Sequence, residues 1–266
     1  MLYTIGQTAK ILGISSELLR HYERVGITAP QRNVNGYRYY DLDTIKKLTG
    51  VRRWRSMGFQ LEDTIQLLTS DSHENTVALY RKRLTELEQE MRWQQEVHAA
   101  MSNLMQEIET SVESVNTIEL RQMPNMLLVV YQRNQALEIF DKKRYRKWLN
   151  GMPIVHISPA FVLDEIINGS DMHEFGYIVP LEKAYQLKLN DTEHAKIIKA
   201  GLHATTVIYS EGADHVKAKQ LTFLLHYLEQ QGYKPTGDAW GMTICSFSDS
   251  KVGKKYHRMF LPVAPL

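Results

Sequence analysis

From Val77 onward, the seam residues alternate by three and four: Val77, Tyr80, Leu84, Leu87 and Met91, then Gln94 and His98, then Met101, Met105, Ile108, Val112 and Val115. No proline or glycine interrupts the run. A seven-residue spacing sustained this far predicts one long helix whose seam supercoils left-handedly against a second helix. The competing arrangement packs the helix along its own domain. A helix of this length seldom finds enough surface within one small domain, so the seam predicts a homodimer held by a coiled coil over residues 72–117. Gln94 and His98 sit mid-seam. In an antiparallel pair they would face their counterparts near the two-fold axis and fix register, at some cost in stability.

The long helix splits the chain into a small N-terminal part, residues 1–71, and a larger C-terminal part, residues 118–266. The chain has 266 residues, 43% of them hydrophobic, which suffices for two cores. Its formal net charge is only +2. Through Ser70, however, ten basic residues face six acidic ones, a local +4 that leaves −2 for the remainder. A basic module on a slightly acidic body suits phosphate binding at one end only.

Thr4 followed by Gln7 reads as a capping box opening a helix that Gly13 closes. Ser15 or Ser16 can cap a second helix carrying Leu18, Leu19 and Tyr22 among Arg20, His21 and Arg24. Two helices joined by one tight turn predict a helix-turn-helix. Asn35-Gly36 signals a hairpin, whose arms would carry Arg32 and then Tyr37, Arg38 and Tyr39. Asp43 can cap a third helix, residues 44–57, bearing Arg53, and residues 61–68 read as a fourth. Ser15, Ser16, Arg20, His21, Tyr22, Arg24, Arg32, Tyr37, Arg38, Tyr39 and Arg53 are the candidate DNA contacts, with base edges read from the second helix and phosphates held by the hairpin.

Residues 3–70 resemble the DNA-binding domain of the MerR family of transcription regulators. The matching residues are Thr4-Ile5-Gly6-Gln7, Ala9, Gly13-Ile14-Ser15, Leu19-Arg20-His21-Tyr22-Glu23, Gly26-Ile27, Gly36-Tyr37-Arg38-Tyr39-Tyr40 and Met57-Gly58-Phe59. His21 stands where a tyrosine is common, and Thr8 and Thr28 where apolar residues are usual. The resemblance implies a winged helix-turn-helix and an antiparallel dimer on a pseudo-palindromic operator. It also implies activation by distorting double-stranded promoter DNA for the RNA polymerase holoenzyme.

From Ile118 the pattern becomes short strands and amphipathic helices, and two stretches echo each other. The first holds Leu128–Tyr131, a helix around Phe140–Leu149, a strand Ala160–Ile166 and Phe175–Pro180. The second holds Thr206–Tyr209, a helix around Ala213–Gln231, a strand Trp240–Phe247 and His257–Pro262. A β-α-β-β unit used twice predicts one shared sheet around a pseudo-two-fold, with a groove between the halves. The fold class expected for the whole chain is therefore α+β. This arrangement resembles the GyrI-like effector-binding domain, which implies a multidrug-sensing regulator binding a small lipophilic effector, often a cationic aromatic compound.

Aromatic faces attract cations and stack on flat rings. The candidate ligand contacts are Tyr145, Trp148, Phe161, Phe175, Tyr177, Tyr209, Trp240 and Tyr256, with Phe247 as a further liner. For any one of them taken alone, a place in the core is the favoured reading. The resemblance places a buried glutamate just after the aromatic that Trp240 matches, and Gly241 stands there instead. Glu165, Asp164 or Asp238 could replace that carboxylate. Glu165 is the chosen counter-ion, since one of the pair Asp164-Glu165 on the expected strand must point inward. Without such an acid the pocket would suit neutral ligands.

Other classes receive little support. Cys245 is the single cysteine, so no internal disulfide and no thiolate cluster for a metal can form. The ten histidines show no ligand spacing, and no cofactor motif occurs. His156, Ser158, Glu165 and Tyr177 could serve a hydrolase, yet no spacing pairs a nucleophile with its base. The absence of a long apolar run or signal-peptide pattern predicts a cytoplasmic protein without a membrane partner.

Overall fold

The computed structural model describes residues 1–134, 136–137, 142–189, 195–211, 215–247 and 253–266. Phe140 and Ala213, the expected starts of the two C-terminal helices, lie outside these residues. The chain forms two compact units, Met1–Trp93 and Gln94–Leu266.

The first unit runs β1 (Tyr3–Thr4), α1 (Ile5–Leu12), α2 (Ser16–Arg24), β2 (Gln31–Arg32), β3 (Arg38–Tyr40), α3 (Leu42–Ser56), α4 (Leu61–Thr69) and the beginning of α5 (His73–Ser111). Thr4 and Gln7 cap α1 reciprocally. Gly13 then takes a left-handed φ of 61°, which a residue with a Cβ adopts only at a cost. Ser15 caps α2 by accepting from the Leu18 N–H. The strands pair in the order β1-β3-β2, making a small wing. Its loop closes through the Gly36 N–H donating to the Asn33 carbonyl, so the turn is longer than a two-residue Asn-Gly hairpin.

One cap differs from expectation. Asp41, not Asp43, caps α3, because Asp41 holds the extended conformation and accepts from the Thr44 N–H. Asp43 falls in the first turn, where a carboxylate suits the helix dipole.

Leu19, Tyr22, Tyr40, Leu48 and Val51 form the core of this unit. The unusual Thr8 and Thr28 are both buried, and among the described residues neither hydroxyl has a partner.

The beginning of α5 is fastened inside the same unit. Tyr80 packs edge-on against Phe59 with centroids 5.0 Å apart and accepts from Trp54 Nε1 at 3.2 Å. Arg83 Nε donates to the Met57 carbonyl at 3.0 Å, and Lys82 pairs with buried Asp63. Val77 and Tyr80 are thus half-buried within one chain, and the open seam starts at Leu84 rather than Val77. Leu84, Leu87, Met91, Met101, Met105, Ile108 and Val112 are 40% to 64% exposed. The helix ends at Ser111, before the expected Val115. There the chain turns onto the sheet, with Val115 bridging Val207 and the Asn116 N–H donating to the Val207 carbonyl.

The second unit continues with β4 (Glu119–Met123), β5 (Met126–Arg133), β6 (Ala136–Leu137), α6 (Lys142–Asn150), β7 (His156–Phe161), α7 (Leu163–Ile167), β8 (Glu174–Pro180), α8 (Leu181–Gln186), β9 (Ala195–Ile198), β10 (Gly201–Glu211), a 3-10 turn (Ala218–Leu221), α9 (Thr222–Gln230), β11 (Tyr233–Pro235), β12 (Ala239–Phe247) and β13 (Lys254–Pro265). The main sheet order is β4-β10-β13-β12-β7-β8-β5-β6, with β9 on β5 and β11 on β13. The triplets β5-β8-β7 and β10-β13-β12 are therefore mirrored across the β7–β12 joint, each reached through one helix after its first strand. The core on the α9 side gathers Phe161, Ile166, Leu221, Leu224, Leu228, Met259 and Leu261.

The expected strand Ala160–Ile166 is corrected. The strand ends at Phe161, and Leu163–Ile167 is helical. Asp238 accepts from the Leu163 N–H at 3.1 Å, a start signal supplied from far along the chain. Leu163 and Ile166 then share one helical face.

Thr8→Val is expected to raise stability by about 1 kcal/mol, since it removes a buried hydroxyl without a partner. A urea midpoint unchanged or lowered by this substitution would contradict that assignment.

Candidate functional site

On the first unit, Arg20 and Arg24 are exposed on α2, tied to Glu17 at 3.1 and 3.4 Å. Ser15 is engaged as the cap, Ser16 and His21 are half-buried, and Arg53 is exposed on α3. Tyr22 is a correction: only 5% exposed, its ring belongs to the core. Tyr37 stands out from the wing loop, and Tyr39 is half-buried.

Arg32 and Arg38 converge on one acid. Arg38 Nε lies 2.6 Å, and Arg32 Nη2 2.5 Å, from the Glu23 carboxylate. The Arg38 hydrogen bond, then that of Arg32, holds the Glu23 carboxyl below the usual range, against the opposing effect of burial. The wing is therefore strapped to α2, and Arg38 is a strut as well as a cation facing outward. Its guanidinium has five N–H donors, so the strut leaves capacity for a phosphate.

In the second unit the candidate aromatics do not form one box. Tyr145, Trp148 and Tyr177 group with Tyr131, and the Tyr177 hydroxyl donates to that of Tyr145 at 2.8 Å. Burial foremost, then that hydrogen bond, pushes the Tyr177 phenol well above its usual range. Tyr209, Tyr256 and Phe247 form a second group, with Lys254 Nζ 5.4 Å from the Tyr209 ring centre. Trp240 is fully buried and stacked on Phe260 at 4.2 Å. Phe161 is core, and Phe175 lies beside His215 and His257. Burial, then Lys255, pushes His257 down to about 4. Glu165 sits half-buried on α7, not on a strand. Asp238 is bound to Leu163 and Lys196.

A pocket of about 290 Å³ opens where the two halves meet, between α5 and the sheet. Ala100, Asn103, Leu104, Gln106 and Glu107 come from α5, His156 from β7, Met242, Thr243 and Ile244 from β12, and Arg258 from β13. It opens there because the joint is short. β7 and β12 pair only at Phe161–Ala239 and Ala160–Trp240. Pro159 has no N–H for the next rung, and the Ser158 hydroxyl accepts from the Gly241 N–H instead. The Ser158 hydroxyl also donates to the Pro159 carbonyl, so a role as free nucleophile is not supported.

The pocket wall holds an ion pair whose arginine is buried and whose glutamate is partly exposed. The Arg258 side chain is 3% exposed, and its Nε donates to Glu107 Oε2. Glu107 Oε1 also accepts from Arg121 at 3.4 Å. Burial keeps the His156 pKa below its usual value, so its ring is neutral at ordinary pH. None of the candidate aromatics lines this pocket. Sequence reading missed Glu107 because its helix was assigned wholly to dimerisation, and missed Arg258 because an arginine on an otherwise apolar strand carries no motif. Among the described residues, no cluster of three His, Cys, Asp or Glu could hold a metal, and no helix is long and apolar enough to cross a membrane.

Residues 3–71 match the profile of the MerR HTH family regulatory proteins. The HTH-type transcriptional regulator CueR of Escherichia coli O157:H7 is 33% identical over 104 residues, covering 38% of this chain and 77% of that protein. The chain belongs to the MerR family. The transcriptional regulator HmrR of Rhizobium leguminosarum bv. viciae is 29% identical over 106 residues, covering 38% of this chain and 82% of HmrR. A solved EcmrR–DNA complex aligns with 99% of this chain and 100% of that one, at 16% identity and a TM-score of 0.39, too low to establish a shared fold for the second unit.

This MerR-family chain also shows why position 241 carries no acid. A Cβ there would lie 2.5 Å from Met259 Sδ and 2.7 Å from the Arg258 carbonyl. Gly241→Ala is expected to lower stability by about 1–3 kcal/mol, read by thermal unfolding; a neutral result would show that the site is roomier than its contacts imply. On the first unit, Arg38→Ala should weaken DNA binding and reduce the salt slope by about one. Glu23→Gln loosens the strap, lowering affinity while leaving the slope unchanged. Equal slope losses in both variants would mean that Glu23 does not act through wing position.

Proposed function

We propose that this MerR-family DNA-binding regulator works as a homodimer whose promoter activity responds to a small lipophilic effector held in a GyrI-like C-terminal domain. The domains in this reading are 1–71 for DNA, 72–117 for the coiled coil and 118–266 for the effector. The observation that carries the proposal is α5. Its first turns are fastened to α3 and α4 through Tyr80 and Arg83. Its last turns wall the pocket through Leu104 and Glu107. One uninterrupted helix thus belongs to both the DNA-binding unit and the effector unit.

The exposed heptad positions from Leu84 to Val112 are best covered by a second copy of the same helix. Gln94 and His98 provide the polar layer of an antiparallel pair. The dimer would act in the cytoplasm on a pseudo-palindromic promoter, distorting the spacer so that RNA polymerase holoenzyme engages it. An effector can shift the dimer between two arrangements only if it binds them with different affinity. The mirrored β-α-β-β halves support the GyrI-like reading. The cationic preference has weaker support, because Glu165 lies on α7 and Gly241 has no room for an acid.

Transcription from the chain's own promoter, measured with and without a panel of lipophilic cations, neutral compounds and acids, tests the proposal. Effector-dependent output is expected. Equal output at saturation for every compound that binds would defeat it. Leu87→Glu combined with Met105→Glu should yield a monomer by sedimentation and lower operator affinity at least about tenfold. A stable dimer in that variant would remove the seam from the interface.

A further inference from the structure

The pocket beside α5 has an electrostatic asymmetry. Arg258 is almost fully buried, and its counter-ion, Glu107, belongs to the helix rather than to the sheet. Glu107 has a second cation, Arg121, 3.4 Å from its other oxygen. Arg121 is itself paired with Glu119 at 2.7 Å.

An organic cation entering this pocket would need Glu107. Taking it would strip Arg258 of its partner and strand a buried guanidinium, an arrangement that is strongly unfavourable. An acid meets the opposite situation. Its carboxylate can accept from Arg258, whose planar fork matches a carboxylate with two parallel N–H bonds. Glu107, once released, still has Arg121. Glu107 then shares Arg121 with Glu119 and, being partly exposed, also keeps access to water, while the buried guanidinium stays paired.

The rest of the wall suits an apolar body. Leu104, Ala100, Met242 and Ile244 supply aliphatic surface, and the Met242 thioether adapts to varied shapes. Asn103 and Gln106 can meet a polar substituent. We infer that this pocket takes a small apolar carboxylic acid, whose carboxylate replaces Glu107 on Arg258. Binding then loosens the tie between α5 and the sheet, so the ligand's charge is coupled directly to the helix. This inference rests on the reading that the C-terminal unit houses the effector site, and names the chemical class of that effector.

The test uses the full chain and three probes of one shape: naphthoate, naphthamide and naphthylmethylammonium. Calorimetry should show naphthoate binding more tightly than the other two. Arg258→Gln should weaken naphthoate at least about tenfold and leave naphthamide unchanged. Glu107→Gln removes the competitor and should tighten naphthoate about fivefold. A variant that merely damages the fold would weaken all probes, so this gain keeps the assignment testable even if Arg258→Gln does not fold. Tighter binding of the ammonium probe, failure of naphthoate to bind, or naphthoate affinity unchanged in both variants would each overturn the acid.

Promoter output separates this inference from the reading beneath it. If the amide or the ammonium probe alters transcription while naphthoate neither binds nor acts, the acid is wrong and the effector-responsive reading stands. If naphthoate binds through Arg258 yet no probe of any charge alters transcription, the ligand class stands and the regulatory reading fails.

Discussion

A guanidinium on the inner face of a sheet needs a counter-charge, and Arg258 finds it on a helix. That pair ties α5 to the sheet. Removing Glu107 would leave the Arg258 guanidinium, 3% exposed, charged in a poor solvent. Glu107 is therefore held against the sheet near the end of α5. Leu104 packs beside Ile244, Tyr256 and Val207 in the same place, and Lys183 pairs with Glu96 about three turns earlier. The pocket exists because the helix is held along its polar residues while the sheet beneath has an incomplete joint at Pro159.

The wing of the first unit uses a related device at the surface. Glu23 ends α2 with a carboxylate between two wing arginines, so the hairpin takes its position from that helix. These pairs are partly exposed, and their worth lies in geometry more than in stability. Phosphate contacts orient a protein on DNA. The proposed phosphate contacts of the wing would thus be fixed relative to α2.

The first unit was largely legible in the sequence because its signals are local. Thr4 and Gln7, Gly13 and Ser15 lie within a few residues of the structure they specify. Asp41 was missed because two acids stood close together, and only backbone conformation distinguishes a cap from a first-turn residue. Tyr22 was misplaced because an amphipathic tyrosine reads equally well as contact and as core. The second unit yielded its duplicated order, since strand and helix periods repeat along the chain. Its site did not follow, because the pocket joins residues about 150 positions apart, from Glu107 to Arg258. Likewise α7 starts on Asp238, a cap that lies 75 residues downstream. The aromatic residues drew attention by their type, yet aromatic rings fill cores for the same reason that they line pockets.

The polar mid-seam pair and the ion pair divide the work of α5. Gln94 and His98 sit where a coiled coil would be registered, whereas Glu107 sits on the side of the helix turned to the sheet. Residues at 101, 105 and 108 remain exposed beside it. Glu107 and these exposed residues thus lie on neighbouring faces of α5. With no glycine or proline along its length, α5 has none of the usual sequence features that let a helix kink and absorb strain locally. Near Glu107 the helix therefore has no built-in joint of its own.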